Sequence, residues 1–419
     1  MDGGGAGFVS DTPEIAVVQR AEAGDRALLE PRIRLLSLIF ICFAAFCLIA
    51  PLLQTIHPVF RSLVRPLDER REPGPFPPLG LLLGTNGDFA RDLNAWFDDR
   101  VGFRALFIRM KNQIDYSLFS TSHKVQIGKD GWLFDGGNVY GIENLSAIEL
   151  AALENRFTTL AQRLHEKGIR LVVVGYPDKT QIYPDKISER MPPVPVGGNF
   201  DKLRHFLASQ PSLTFIDAKA LLQRERTRTT EHLYAVTDPH PTEAGQIPVA
   251  KEIVTQIAKL EGRPDMPWRD FKFQHGTFPN WGAEARFLAV LRPVYEPDYP
   301  TVTDGAAIGG NEPDGKWIIA DRVALDRADN GVGRPFDWEF RSNPDLCPQR
   351  LPGTVLFGNS FSDFYWALGL QHYFCFIRRT RDPMSRFKLF YETMPPDTKY
   401  MIFQFVSTWL PGNEPPDDY

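Results

Sequence analysis

Val355-Leu356-Phe357-Gly358-Asn359-Ser360-Phe361-Ser362 is an apolar run that breaks into a Gly-x-Ser turn. Residues 363–370, just after it, read as a helix. A short apolar strand ending in such a turn exposes a serine hydroxyl at the carboxyl edge of a sheet, where open α/β folds place nucleophiles and ligands. A helix cap at Ser360 explains the turn equally well. The rest of the chain has to decide between the two.

The surrounding pattern alternates. Residues 147–167 read as a helix, with Leu150, Leu153, Phe157, Leu160 and Leu164 on one face. Residues 169–174 form a continuous apolar strand. A helix over 200–209, a strand over 213–216 and a helix over 242–260 follow. Residues 355–357, 373–377 and 400–406 are further buried-type strands, separated by helices over 363–370 and 384–392. Short apolar strands alternating with helices predict an α/β fold, with a parallel sheet of about five strands covered on both faces. Ahead of it, residues 89–119 have the spacing of two amphipathic helices broken near Val101-Gly102. Residues 125–134 read as a hairpin turning on Lys129-Asp130-Gly131. Residues 262–350 are rich in Pro, Gly and Asp and are expected to form a loop-rich insertion with little regular structure.

Composition narrows the class. The 419 residues carry a net charge of −5 and are 43% hydrophobic and 12% aromatic, which suits a globular body and gives no reason to invoke nucleic acid. Residues 35–53 contain no charge, enough for one membrane span. The expected organisation is a tail over 1–32, an uncleaved transmembrane anchor over 33–57, a linker over 58–85 and one domain over 86–419. Arg32 and Arg34 on one side, and Arg61, Arg65, Arg70 and Arg71 on the other, leave the orientation open. Cys347 and Cys375 either pair or stay free and buried; spacing does not choose. No His, Cys or Asp cluster has metal-ligand spacing, and residues 305–310 lack the strand and helix of a phosphate loop. No metal or cofactor is expected.

A base for Ser360 is offered by Asp238-Pro239-His240, in a loop before the 242–260 helix. A carboxylate two residues before a histidine can accept the Nδ1 proton and leave Nε2 free as base. Alone, the segment is also a turn with Thr242 as helix cap. Both segments fall at the carboxyl edge of the predicted sheet. Together they supply nucleophile, base and orienting group, with the amide of Ser360 or Phe361 as an oxyanion donor.

At these residues the chain resembles the alginate O-acetyltransferase proteins of the AlgX and AlgJ type, a permuted branch of the SGNH-hydrolase-like superfamily. The resemblance is carried by Trp96-Phe97-Asp98-Asp99-Arg100-Val101-Gly102-Phe103-Arg104, by Ile127-Gly128-Lys129-Asp130-Gly131-Trp132-Leu133-Phe134, and by Pro177-Asp178-Lys179 with Ile182-Tyr183-Pro184. Asp238-Pro239-His240 and Gly358-Asn359-Ser360-Phe361-Ser362 complete it. It implies a three-layer α/β/α SGNH-hydrolase-like domain and a Ser360–His240–Asp238 triad. It implies O-acetylation of an exopolysaccharide through an acetyl-serine, in the periplasm, from a domain anchored in a bacterial inner membrane. It also implies a membrane-bound O-acyltransferase partner that supplies acetyl. Asn359 departs from it, standing where such proteins often have Asp. Lys179, Tyr183, Trp366 and Ser362 are candidate substrate-binding residues. Two other functions fit the same residues: a polysaccharide acetylesterase, and a non-catalytic scaffold in a polymer-export complex.

Overall fold

A computed structural model describes residues 34–47, 49, 67, 74–80, 88–100, 104–136, 141–303, 315–318, 338–363, 365–381, 384–408, 410 and 415. The chain divides into two compact units, residues 1–110 and 111–419. In the first, residues 34–47 are helical. Asp88–Arg100 forms a second helix, where Asp99 accepts the Gly74 N–H at 2.7 Å and Trp96 meets Phe76 edge-on at 5.1 Å. Among the described residues no helix is long and apolar enough to cross a membrane. The rest of the expected 33–57 anchor lies outside those residues. The helix Arg104–Ile114, ending in a wide turn at Asp115–Phe119, completes the expected pair.

The second unit opens with an antiparallel hairpin, β1 (Val125–Ile127) and β2 (Leu133–Asp135), turning on Lys129–Gly131. A helix then forms over Ala147–Glu166. Ser146 and Glu149 start it with reciprocal bonds: the serine oxygen accepts the Glu149 N–H, and the glutamate accepts the Ser146 N–H at 2.8 Å. Its buried stripe includes Leu150, Leu153, Phe157, Leu160 and Leu164, the expected face.

Among the described residues the central sheet has seven strands. Five run parallel in the order β4 (Leu213–Asp217), β3 (Arg170–Tyr176), β11 (Thr398–Val406), β9 (Gly353–Gly358) and β10 (Phe376–Arg381). These are the five expected strands. The side-chain period of two sorts each into two faces. On β11, Tyr400, Ile402 and Val406 join a core beneath the helices Ala218–Arg226 and Glu243–Leu260. Met401, Phe403 and Phe405 join the opposite core, under the helices Ala147–Glu166, Asn199–Ser209 and Phe387–Glu392. The unit is therefore three layers, helix on sheet on helix.

Three expectations are corrected. Residues 262–350 are not merely loop. They supply the hairpin β5 (Phe273–Pro279) with β6 (Tyr295–Val302), the short helix Ala283–Leu288, and two strands that extend the sheet: β8 (Trp338–Ser342), antiparallel to β10, and β7 (Gly315–Ile318), antiparallel to β8. Residues 363–370 do not form a helix. Successive tight turns link Leu368 to Tyr365 and Gly369 to Trp366, and Gly369 takes φ +72°. Tyr365, Leu368 and Leu370 are all fully buried, and Tyr365 is tied to Tyr176 by a 2.7 Å hydroxyl pair. One helical stripe cannot bury that set. The strand expected over 373–377 sits further on, at Phe376–Arg381. Its arginines are neutralised by ion pairs, Arg378 with Glu339 and Arg379 with Asp363, so charge does not end the strand.

Candidate active site

β3, β9 and β11 are parallel, so the segments leaving β3 and β9 emerge on one sheet edge. Ser360 starts a single 3-10 turn directly after β9. His240 lies in the loop before the helix Glu243–Leu260, which Thr242 caps by accepting the Gly245 N–H. The fold brings the two together across 120 residues: Ser360 Oγ is 2.7 Å from His240 Nε2. His240 Nδ1 is 2.5 Å from Asp238 Oδ1, which also accepts the His240 backbone N–H at 3.0 Å. Asp238 Oδ2 accepts the Ala283 N–H at 2.6 Å. Burial pushes the Asp238 carboxyl up, but the adjacent His240 and these donors outweigh it, and the group sits below the usual carboxylate range. Asp238 is therefore a charged acceptor that fixes the imidazole, with Nδ1 protonated and Nε2 turned to the serine oxygen. Phe361, 5% exposed, packs its ring 5.2 Å from the imidazole.

The Asp238 segment is anchored from below. Glu296, fully buried, accepts the N–H of Val236 at 2.7 Å and that of Thr237 at 2.6 Å, together with the Thr237 hydroxyl. Lys179 is the second anchor. It is 2% exposed, and its ammonium donates to the carbonyls of Leu133 at 2.7 Å, Val236 at 2.8 Å and Asp238 at 3.2 Å. Its three donors are thus spent on the backbone that ties the β1–β2 hairpin to the Asp238 strap. Burial pushes this ammonium down to about 8, against the pull of Glu284, Glu296, Asp238 and Asp178.

The other candidate binding residues separate. Tyr183, 5% exposed, accepts the Leu233 N–H on its hydroxyl at 2.9 Å and lays its ring 4.3 Å from that of Trp132. Ser362, fully buried, donates to the Asn359 carbonyl at 2.8 Å and accepts from Arg379 at 3.1 Å. Lys179, Tyr183 and Ser362 therefore brace the site from inside. Only Trp366, in the turns after Ser360, presents its ring to solvent, at 38% exposure.

Four contributors escaped the sequence reading. Arg379, fully buried on β10, bonds the Asn359 carbonyl, Ser362 Oγ and Asp363, clamping the serine turn from behind. Gln404 on β11 pairs with Asn359. Ala283 and Glu296 come from the segment expected to be loop. Gln404 had a usable signal, being the one polar side chain inside the run from Tyr400 to Val406. Ala283 and Glu296 had none, because their contact is made by chain path alone.

Residues 125–305 match the family described as an SGNH hydrolase-like domain, acetyltransferase AlgX. The matched segment holds Asp238 and His240 and stops before Ser360. The chain is 24% identical over 269 residues to the "Probable alginate O-acetylase AlgJ" of Pseudomonas syringae pv. tomato, covering 61% of this chain and 66% of that protein. It is 26% identical over 216 residues to the protein of the same description from Pseudomonas aeruginosa, covering 50% and 53%. The chain thus spans between about half and two thirds of the length of these curated relatives. The O-acetyltransferase domain of Pseudomonas putida AlgJ superposes with a TM-score of 0.42 at 17% identity, covering 68% of this chain and 92% of that one. Over residues 125–305 this chain is therefore similar to the SGNH hydrolase-like domain of AlgX-type acetyltransferases, and more broadly to AlgJ proteins.

Proposed function

We propose that this chain is an O-acetyltransferase that acts outside the cytoplasm on hydroxyls of an alginate-like exopolysaccharide, anchored to the inner membrane by residues 33–57. The observation that carries the reading is the continuous line from Asp238 through His240 to Ser360, at 2.5 and 2.7 Å. A serine cap needs no histidine at its hydroxyl and no buried carboxylate behind that histidine. The relatives' description as alginate O-acetylases favours acetyl as the group moved. The Cys347–Cys375 disulfide favours an oxidising compartment.

The chemistry proceeds in two halves. His240 Nε2 takes the Ser360 proton as Oγ attacks the acetyl carbon of a donor ester or thioester. The bond to the donor's alcohol or thiol breaks, and that group leaves with the proton. A sugar hydroxyl then gives its proton to Nε2 and attacks the acetyl-serine. The ester bond to Oγ breaks, and the proton returns to Ser360. Asp238 stabilises the imidazolium in both halves. A membrane-bound acyltransferase partner would deliver the acetyl group.

The test uses the full-length protein with an acetyl ester, with and without a uronic-acid oligosaccharide. Acetylated oligosaccharide, and an acetyl adduct on Ser360 seen by mass spectrometry, are expected. Ester turnover indifferent to any sugar acceptor would replace the transferase with an esterase. Unchanged polymer acetylation in cells carrying Ser360→Ala would leave only a scaffold.

A further inference from the structure

The polar network of the serine turn has a direction set by chemistry. The Asn359 backbone N–H can only donate, and it donates to Gln404 Oε1 at 3.2 Å. Gln404 Nε2 is therefore the donor to its other partner, Asn359 Oδ1, at 3.0 Å. The Phe361 N–H donates to that same Oδ1 at 3.0 Å. Two donors of fixed sense thus assign the Asn359 carboxamide without ambiguity. Its Nδ2 is left over. Among the described residues Nδ2 donates to nothing, and it is not one of the buried unsatisfied atoms, so it reaches solvent. The next residue is Ser360, whose own N–H likewise has no acceptor among the described residues. Of the two amides the sequence offered as an oxyanion donor, Ser360 or Phe361, the Phe361 N–H is already taken by Asn359.

Gln404 shares the sheet face of Tyr400, Ile402 and Val406. It reaches the turn because Gly358 has no side chain: a Cβ there would lie 2.6 Å from Gln404 Oε1. An amide crossing the end of the neighbouring strand is a costly way to cap a single 3-10 turn. A carboxylate at 359 would accept from Phe361 and Gln404 just as well. What only the carboxamide adds is a donor beside the nucleophile.

We infer that Asn359 is a catalytic residue: its Nδ2–H and the Ser360 N–H together receive the oxyanion formed when Ser360 attacks the acetyl group. Gln404 is the positioning residue that holds the carboxamide in this sense. The inference rests on the Ser360 reading above. When the Oγ–C bond forms, the carbonyl π pair moves to oxygen and the Oγ proton moves to His240 Nε2. Collapse restores the carbonyl and expels the donor's alcohol or thiol, which takes that proton. Donors aimed at the oxygen where charge develops lower this barrier without tightening ground-state binding.

The experiment compares Asn359→Asp with wild type, both full-length, on p-nitrophenyl acetate. Asp keeps the acceptor for Phe361 and Gln404 and loses the donor. A fall in kcat of roughly 100- to 1,000-fold, with KM within about threefold, is expected. Gln404→Glu is the second variant. It places a carboxylate against Oδ1, turns the carboxamide over and draws Nδ2 inward, so the same loss in kcat is expected. If Asn359→Asp does not fold, the Gln404→Glu result decides alone. A folded variant with kcat within about threefold of wild type, or a loss confined to KM, overturns the inference. Full ester turnover by Ser360→Ala would instead overturn the triad reading on which it rests.

Discussion

Replacing Asp238 by Asn tests the site at its most constrained point. The aspartate accepts on both oxygens: His240 Nδ1 and N–H on one, the Ala283 N–H on the other. An asparagine has one acceptor and must choose. If its oxygen stays with His240, the NH2 faces the Ala283 N–H, and a buried donor loses its partner at about 1–3 kcal/mol of stability. If its oxygen turns to Ala283, the NH2 faces Nδ1, which must then accept. The proton moves to Nε2, the atom 2.7 Å from Ser360 Oγ, and the base is lost. The second arrangement satisfies the buried Ala283 N–H and the ring, and leaves only the part-buried His240 backbone N–H without its acceptor, so it prevails. The expected result is therefore a small change in stability and a large one in rate. Loss of the correct tautomer costs on the order of 10⁴ in kcat, or about 5 kcal/mol of barrier. The assay is burst and steady-state release of p-nitrophenol from the acetyl ester, beside a urea unfolding curve. Turnover within tenfold of wild type at ordinary stability would refute the role given to Asp238.

Two further outcomes are expected. Lys179 has a folded-state pKa near 8 against 10.5 for the free side chain, so the unfolded chain binds more protons between these values. The stability of wild type relative to Lys179→Met should therefore rise between pH 8 and 10.5, by up to about 3 kcal/mol, and stay flat below pH 8; paired urea curves across that window would show it, and a flat difference would remove the buried charge. Reduction of the Cys347–Cys375 bridge, or Cys347→Ser, opens a loop spanning 28 residues and should cost about 3–4 kcal/mol of stability; an unchanged thermal midpoint under reductant would contradict this.

Much of the architecture was legible. Runs such as Leu171 to Val174 and Met401 to Phe403 are apolar on consecutive positions because both faces of a central parallel strand are covered, and that pattern survives in one dimension. Paired arginines hid the true extent of β10, since a strand charged at Arg378 and Arg379 looks like an ending until Glu339 and Asp363 arrive from elsewhere. The loop-rich reading of residues 262–350 failed for a related reason: β8 has no identity as a strand until β10 lies beside it.

The site divides in the same way. Asp238 and His240 are two residues apart, so one turn can bring carboxylate to imidazole, and the sequence showed that pairing as one of two readings, beside a turn capped at Thr242. The Gly-x-Ser turn was equally visible, as a turn. Whether Ser360 caps a helix or faces a base depended on a contact across 120 residues, and only the parallel order of β3, β11 and β9 decided it. The same holds for Lys179. Its place after the first strand suggested a substrate contact, while its ammonium in fact closes on three carbonyls from two other segments. Hydrogen bonds between distant segments leave no period and no spacing in a chain. Sequence named the candidate groups, and the tertiary structure decided which of their neighbours reach solvent and which are buried and hold the site in place.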